Sequence, residues 1–162
     1  MIILGIDPGS QQCGYGILRV EKNRITAAGC DVIKVNPALP LAARLEKIFN
    51  GITAVIQEYK PDIAAVETIF HGKNIRSAFT LGHARGVILL ALAQGGLLLE
   101  EYSPREIKRS VVGNGNASKE QVEYMVQKIL NIKLKPESLD ATDALASAIC
   151  LFNKERFKKN IK

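Results

Sequence analysis

The sequence predicts an α/β fold: a five-stranded mixed sheet whose first three strands run antiparallel, with helices on both faces. Three observations predict it. Short aliphatic runs of strand length stop abruptly at turn residues or acids, longer segments repeat apolar residues at helical spacing, and the two kinds follow the order β-β-β-α-β-α-β-α-α-α. With 162 residues, 47% of them hydrophobic, the chain holds material for one substantial core and too little for two. A single domain is expected over 1–152, followed by a flexible basic tail over 153–162.

Ile2 to Ile6 is an apolar run stopped by Asp7-Pro8-Gly9-Ser10, where Pro and Gly force a turn, so Asp7 ends a buried strand. Gly14 to Val20 and Ile25 to Val35 read as two further strands joined by the polar Glu21-Lys22-Asn23-Arg24, which makes an antiparallel meander. Leu41, Leu45, Ile48, Ile52, Val55 and Ile56 recur at helical spacing until Pro61. Ile63 to Val66 is then a buried strand ended by Glu67, and a helix crossover into one sheet implies parallel pairing. A second helix is predicted over 74–94, a short strand over 97–100, and a third helix over 104–112. After the Gly-rich loop at 113–116, Ser118 with Gln121 forms a capping box for a helix reaching about Leu130. Pro136 and Ser138 announce a last helix through Phe152.

The formal net charge is +6, but its placement is more informative than its size. Five Lys or Arg against one Glu give the last ten residues +4, and seven bases against three acids give the segment 70–119 another +4. The rest of the chain is therefore slightly acidic, at −2. A basic central segment in an acidic body suits a polyanionic partner; an ordinary solvated face of lysines is the alternative. Cys13, Cys30 and Cys150 are odd in number and lack a Cys-x-x-Cys pair, which points to a reducing cytoplasm rather than to disulfides or zinc. No basic-then-apolar leader opens the chain, and the longest clean apolar stretch, Val87 to Ala93, is shorter than the ~18 to 20 residues of a membrane span. A soluble protein with no membrane partner is expected.

Asp7 and Glu67 each end an aliphatic strand, and ligands of open α/β sheets sit beyond the carboxyl ends of the strands. Asp140 and Asp143, three apart at a helix start, project from one face of that helix, where the dipole tolerates acids. Each item alone is explained by turn or helix-terminus chemistry. If the last helix packs on the strand ends, however, four carboxylates share one pocket, and unit charges ~4 Å apart repel by about 4 kcal/mol at an effective dielectric of ~20. A cation or raised pKa values must relieve that. All-oxygen ligation selects Mg²⁺ or Mn²⁺, and two such ions ~3.5 to 4 Å apart serve phosphodiester hydrolysis.

With these residues in place, the chain resembles the RuvC family of bacterial Holliday junction resolvases, ribonuclease H-like crossover junction endodeoxyribonucleases. The matching stretches are GIDPGSQQCGYG at 5–16, AAVETIF at 64–70, LGHARGV at 81–87, VVGNGNASKEQV at 111–122 and DATDALASAI at 140–149. The resemblance implies a ribonuclease H-like nuclease domain and a homodimer, dependent on Mg²⁺ with Mn²⁺ able to substitute and two ions per site. Such a dimer nicks a four-way DNA junction symmetrically in recombination and repair. It also implies the branch-migration proteins RuvA and RuvB as partners.

Carried over by position, Asp7, Glu67, Asp140 and Asp143 match the family's acidic tetrad, and Phe70 matches an aromatic that stacks on bases at the crossover. A junction exposes unstacked bases, and stacking is worth roughly 1 to 3 kcal/mol per base. Lys108 and Lys119 match basic residues beside the scissile phosphate, where a cation neutralises developing charge. Lys73, Asn74, Arg76, Arg105 and Arg109 are expected to hold the DNA backbone, with an ordinary surface role as the alternative. Thr142 departs from the alanine common between the two aspartates, and no His stands near Cys150-Leu151-Phe152. Ala78, Gly82 and Gly86 form a small-residue stripe at spacing four. It reads either as a subunit interface, which two equivalent cuts favour, or as close packing on the protein's own sheet.

Two other classes compete. The first strand and Asp-x-Gly turn also look like the phosphate-binding start of actin-type and sugar-kinase ATPases, which use two such domains. A junction-binding module with an incomplete catalytic site is the other.

Overall fold

A computed structural model of the protein describes residues 1–68, 74–134 and 139–160. Its elements are β1 (Ile2–Asp7), β2 (Gln12–Glu21), β3 (Arg24–Lys34), α1 (Leu41–Tyr59), β4 (Ile63–Glu67), α2 (Ile75–Gln94), β5 (Leu98–Tyr102), α3 (Pro104–Val112), α4 (Lys119–Leu130) and α5 (Leu139–Asn160). The sheet order is β3-β2-β1-β4-β5. The first three strands pair antiparallel and β1, β4 and β5 pair parallel, as the meander and the helical crossovers require. Lys22 and Asn23 turn the β2–β3 hairpin with φ of 47° and 63°, the left-handed pair that matches strand twist.

Strand alternation divides the core in two. Leu4, Ile6, Ile17, Ala64 and Val66 face α1 and α2, while Ile3, Leu18, Ala65 and Tyr102 face α3, α4 and α5. Asp7 and Glu67 share the parity of Ile3 and Ala65, so they belong to the α5 side. Two glycines let α5 settle onto that side. A methyl group at Gly5 would fall on the Ala144 carbonyl, and one at Gly14 on the Asp140 carbonyl.

Three boundaries differ from the sequence reading. β2 starts earlier, at Gln12, because that residue pairs with Lys34. β5 runs on to Tyr102 because its pairing with β4 continues to Glu67↔Tyr102. The helix expected to end at Phe152 extends to Asn160, so the backbone of the basic tail is helical there rather than frayed. Lys and Arg are good helix formers, and Lys154 is held by an ion pair with Glu106.

α2 is long and apolar enough by composition to cross a bilayer. Here Ala84, Ile88, Ala91 and Leu92 are buried in the core beside α1, and the helix carries Arg76 and Arg85, the latter paired with Glu101. Its opposite side exposes Ile75, Phe79 and Leu90. Gly82 and Gly86 lie on that open side, with nothing within 4 Å of where a Cβ would stand. The stripe therefore does not serve close packing on the protein's own sheet.

Candidate active site

Asp7 and Glu67 stand side by side because β1 and β4 are parallel neighbours, one step beyond the pair Ile6↔Val66. The N-terminal turn of α5 arrives over the same strand ends, seated by Gly5 and Gly14, and brings Asp140 and Asp143. Asp7, Asp140 and Asp143 each offer a carboxylate oxygen within 4.8 Å of the others. Asp7, Glu67 and Asp143 line a cavity of about 210 Å³ together with Lys108 and Lys119, with Pro104, Ile107 and Val122 as apolar wall. Segments from residues 7, 67, 108, 119 and 140–143 thus meet in one place.

The electrostatics show what the crowding costs. Burial, then repulsion from Glu67, Asp143 and Asp140, pushes the Asp7 pKa up to about 8 against the pull of Lys119. Burial, then Asp143, raises Glu67 to about 7, while Lys119 and Lys108 pull it down. Asp140 is raised by burial and then by Asp143. Lys119 donates to the Asp143 carboxylate at 3.2 Å, and that charge raises the pKa of its ammonium. An all-carboxylate cluster that resists ionisation is the donor set of a hard divalent cation, and the residues present fit one.

The model of the family described as "Crossover junction endodeoxyribonuclease RuvC" matches residues 3–151. The chain belongs to the RuvC family. A RuvC of Heliobacterium modesticaldum is 45% identical over 150 residues, covering 93% of each chain. One from Pelodictyon phaeoclathratiforme is 44% identical, covering 93% of this chain and 78% of its own. The solved structure of Thermus thermophilus RuvC in complex with Holliday junction substrate superposes with a TM-score of 0.89 at 30% identity, covering 98% of this chain and 96% of that one. The fold is thus the ribonuclease H-like one of RuvC. The two-domain ATPase reading gives way, since the family model spans nearly the whole chain.

Of the residues singled out in sequence, all four acids and both Lys108 and Lys119 come together. Arg105 and Arg109 are exposed on α3, Arg105 three residues before Lys108 and so beside it on the helix surface, and Arg109 one turn beyond Arg105. Arg76 is exposed on the first turn of α2. Asn74 caps that helix, its side-chain oxygen accepting the Ser77 N–H at 3.2 Å. Phe70 and Lys73 lie outside the described residues. Sequence reasoning missed the apolar wall and the packing role of Gly5 and Gly14. The glycines were visible in GIDPGSQQCGYG, but nothing local says which helix they admit.

Proposed function

We propose that this chain is a structure-selective DNA endonuclease that resolves four-way junctions by paired symmetric nicks through metal-dependent phosphodiester hydrolysis. The observation that carries the proposal is the convergence of carboxylates from both strand ends and α5 in a cavity flanked by two lysines. Family membership supports the same reading. Asp7, Glu67, Asp140 and Asp143 would hold two Mg²⁺, with Mn²⁺ able to substitute. When bound, the ions supply water activation and stabilise charge on the attacked and leaving oxygens.

The chain's own groups do the rest. Asp7 and Glu67, whose pKa values are raised to about 8 and about 7, would release their protons to solvent when a cation is bound at neutral pH, an ionisation that is costly without one. Lys108 and Lys119 face the reacting phosphate and offset the charge that builds on its oxygens, a contribution of about 10²- to 10³-fold per donor. Water attacks in line, and the products are a 5′-phosphate and a 3′-hydroxyl. Arg76, Arg105 and Arg109, with Lys73 and Asn74, hold the backbone, and Phe70 stacks on a base at the crossover. Two equivalent cuts call for two equivalent sites. The exposed stripe Ile75, Phe79, Gly82, Gly86 and Leu90 recurs at helical spacing and fits a second copy of α2, giving a homodimer. The free cysteines and a DNA substrate fit the cytoplasm, with RuvA and RuvB delivering the junction.

The test is cleavage of a synthetic four-way junction beside linear duplex, with Mg²⁺ and with chelator. Symmetric nicks in the junction alone, abolished by chelator, are expected. Equal cleavage of linear duplex, or cleavage in chelator, refutes the proposal.

A further inference from the structure

Lys108 reaches the cavity from α3, a helix of only nine residues, and the position of its ammonium depends on how that helix is rolled about its axis. Around α3, Ile107 and Val111 face the core. Lys108 flanks that stripe on one side, while Glu106 and Ser110 flank it on the other. Hydrophobic contact resists lifting the helix more than rolling it, so the roll is set by polar contacts on the far flank.

Those contacts come from α5. Asn153 donates through Nδ2 to the Ser110 carbonyl and to Ser110 Oγ, both at 3.1 Å. Lys154 Nζ donates to Glu106 Oε1 at 2.9 Å and lies 4.2 Å from the centroid of the Tyr102 ring. The other oxygen of the same carboxylate closes the α3 capping box, accepting from the Ser103 N–H at 2.9 Å and from Ser103 Oγ at 2.8 Å. Lys154 therefore touches both the first turn of α3 and the residue paired with Glu67 across the sheet. The Lys154 and Glu106 side chains are 41% and 49% exposed, and pairs in such surroundings add little to stability. Their value is geometric.

We propose that Asn153 and Lys154 are positioning residues for the hydrolysis: they fix the roll of α3 and thereby aim Lys108 at the phosphate. The proposal rests on the nuclease reading above. α5 thus carries two carboxylates on its first turns and, ten residues beyond Asp143, the brace that sets the lysine opposite them. The ammonium of Lys108 stands about 8 Å from the helix axis, from the helix radius plus an extended stem. A roll of about 10° moves it by roughly 1.4 Å, and displacements of that order lower rates by about 10²-fold.

The experiment measures single-turnover cleavage of a synthetic four-way junction with Mg²⁺, junction affinity with Ca²⁺ in place of Mg²⁺, and thermal midpoint. The variants are Lys154→Met, Asn153→Ala, the two combined, and Lys154→Arg. The combined variant is expected to cleave about 10- to 100-fold more slowly at saturating enzyme. Its affinity should stay within about threefold and its midpoint within a few degrees, and Lys154→Arg should restore most of the rate. The same two substitutions placed in Lys108→Ala should slow it less than about threefold further, because they act through a side chain no longer there. A purely structural role would instead slow both backgrounds equally, and that result overturns the proposal, as does an unchanged rate or a parallel loss of affinity. Should the combined variant melt early, Asn153→Ala alone carries the same comparison without changing charge. A wild-type protein inert toward junctions overturns the nuclease reading, whereas an active wild type with unaffected variants overturns the brace alone.

Discussion

Replacing Asp7 with asparagine should make the metal-free protein more stable while abolishing cleavage, and by an amount that depends on pH. In the folded protein the Asp7 carboxyl titrates near 8 instead of its ordinary 3.8, chiefly through burial and then through Glu67, Asp143 and Asp140. Below about pH 4 both folded and unfolded chains hold the proton, and the group has no differential effect. As the pH climbs, the unfolded chain loses that proton while the folded chain keeps it, so stability falls by up to about 1.4 kcal/mol per pH unit until about pH 8. The full shift corresponds to on the order of 5 kcal/mol. An amide is neutral at every pH but has its own desolvation to offset, so a gain of about 2 to 4 kcal/mol is expected above pH 8. For a chain of this size that is roughly 6 to 12 °C in thermal midpoint. The assay is melting in chelator at pH 5, 7 and 8.5, repeated with Mg²⁺. The gap between Asp7→Asn and wild type should widen with pH and narrow when the ion is added, since a ligand at 100 times its Kd returns about 2.7 kcal/mol to wild type alone. Junction binding should be kept or strengthened, because a negative charge near phosphate is gone. A variant no more stable than wild type at pH 8.5, or a gap independent of pH, would refute the claim that these carboxylates are crowded and desolvated.

Gly14→Ala puts a methyl group on the Asp140 carbonyl; α5 must retreat, at about 1 to 3 kcal/mol, and junction cleavage should fall at least about 10²-fold in a protein that circular dichroism still finds folded. Tyr102→Phe removes a buried hydroxyl that has no hydrogen-bond partner among the described residues while keeping the ring under Lys154; chemical denaturation should find stability unchanged or raised by up to about 1 kcal/mol. Phe79→Glu places a charge in the exposed α2 stripe, and sedimentation should show a monomer that no longer makes paired cuts. Junction affinity should fall with salt at a log–log slope of roughly −0.9 per phosphate contacted, and each of Arg105→Gln and Arg109→Gln should lower that slope by about one.

Local chemistry announced most of the elements. Pro and Gly stop β1 after Asp7, Ser118 and Gln121 form the expected capping box, and Pro104 opens α3. The end of the last helix was not legible, because Lys154-Glu155-Arg156 is polar and the ion pair holding Lys154 lies 48 residues upstream. The outward side of α2 was not legible either, for both of its faces are apolar and periodicity does not say which one meets the sheet. Of the site, the four acids and two lysines could be named by type and order, but their convergence depends on a parallel pairing and on glycines that admit α5, both of them long-range facts. The capping role of Asn74 was not legible, since the amide that suits a phosphate also suits a helix N-cap and the sequence shows only the residue type.

Because α5 carries acids near one end and Asn153 and Lys154 near the other, its length behaves as a ruler. One residue inserted between Ala146 and Phe152 would advance the far portion by about 1.5 Å and rotate it by about 100° relative to the near one. No adjustment elsewhere in the chain could then satisfy both ends at once.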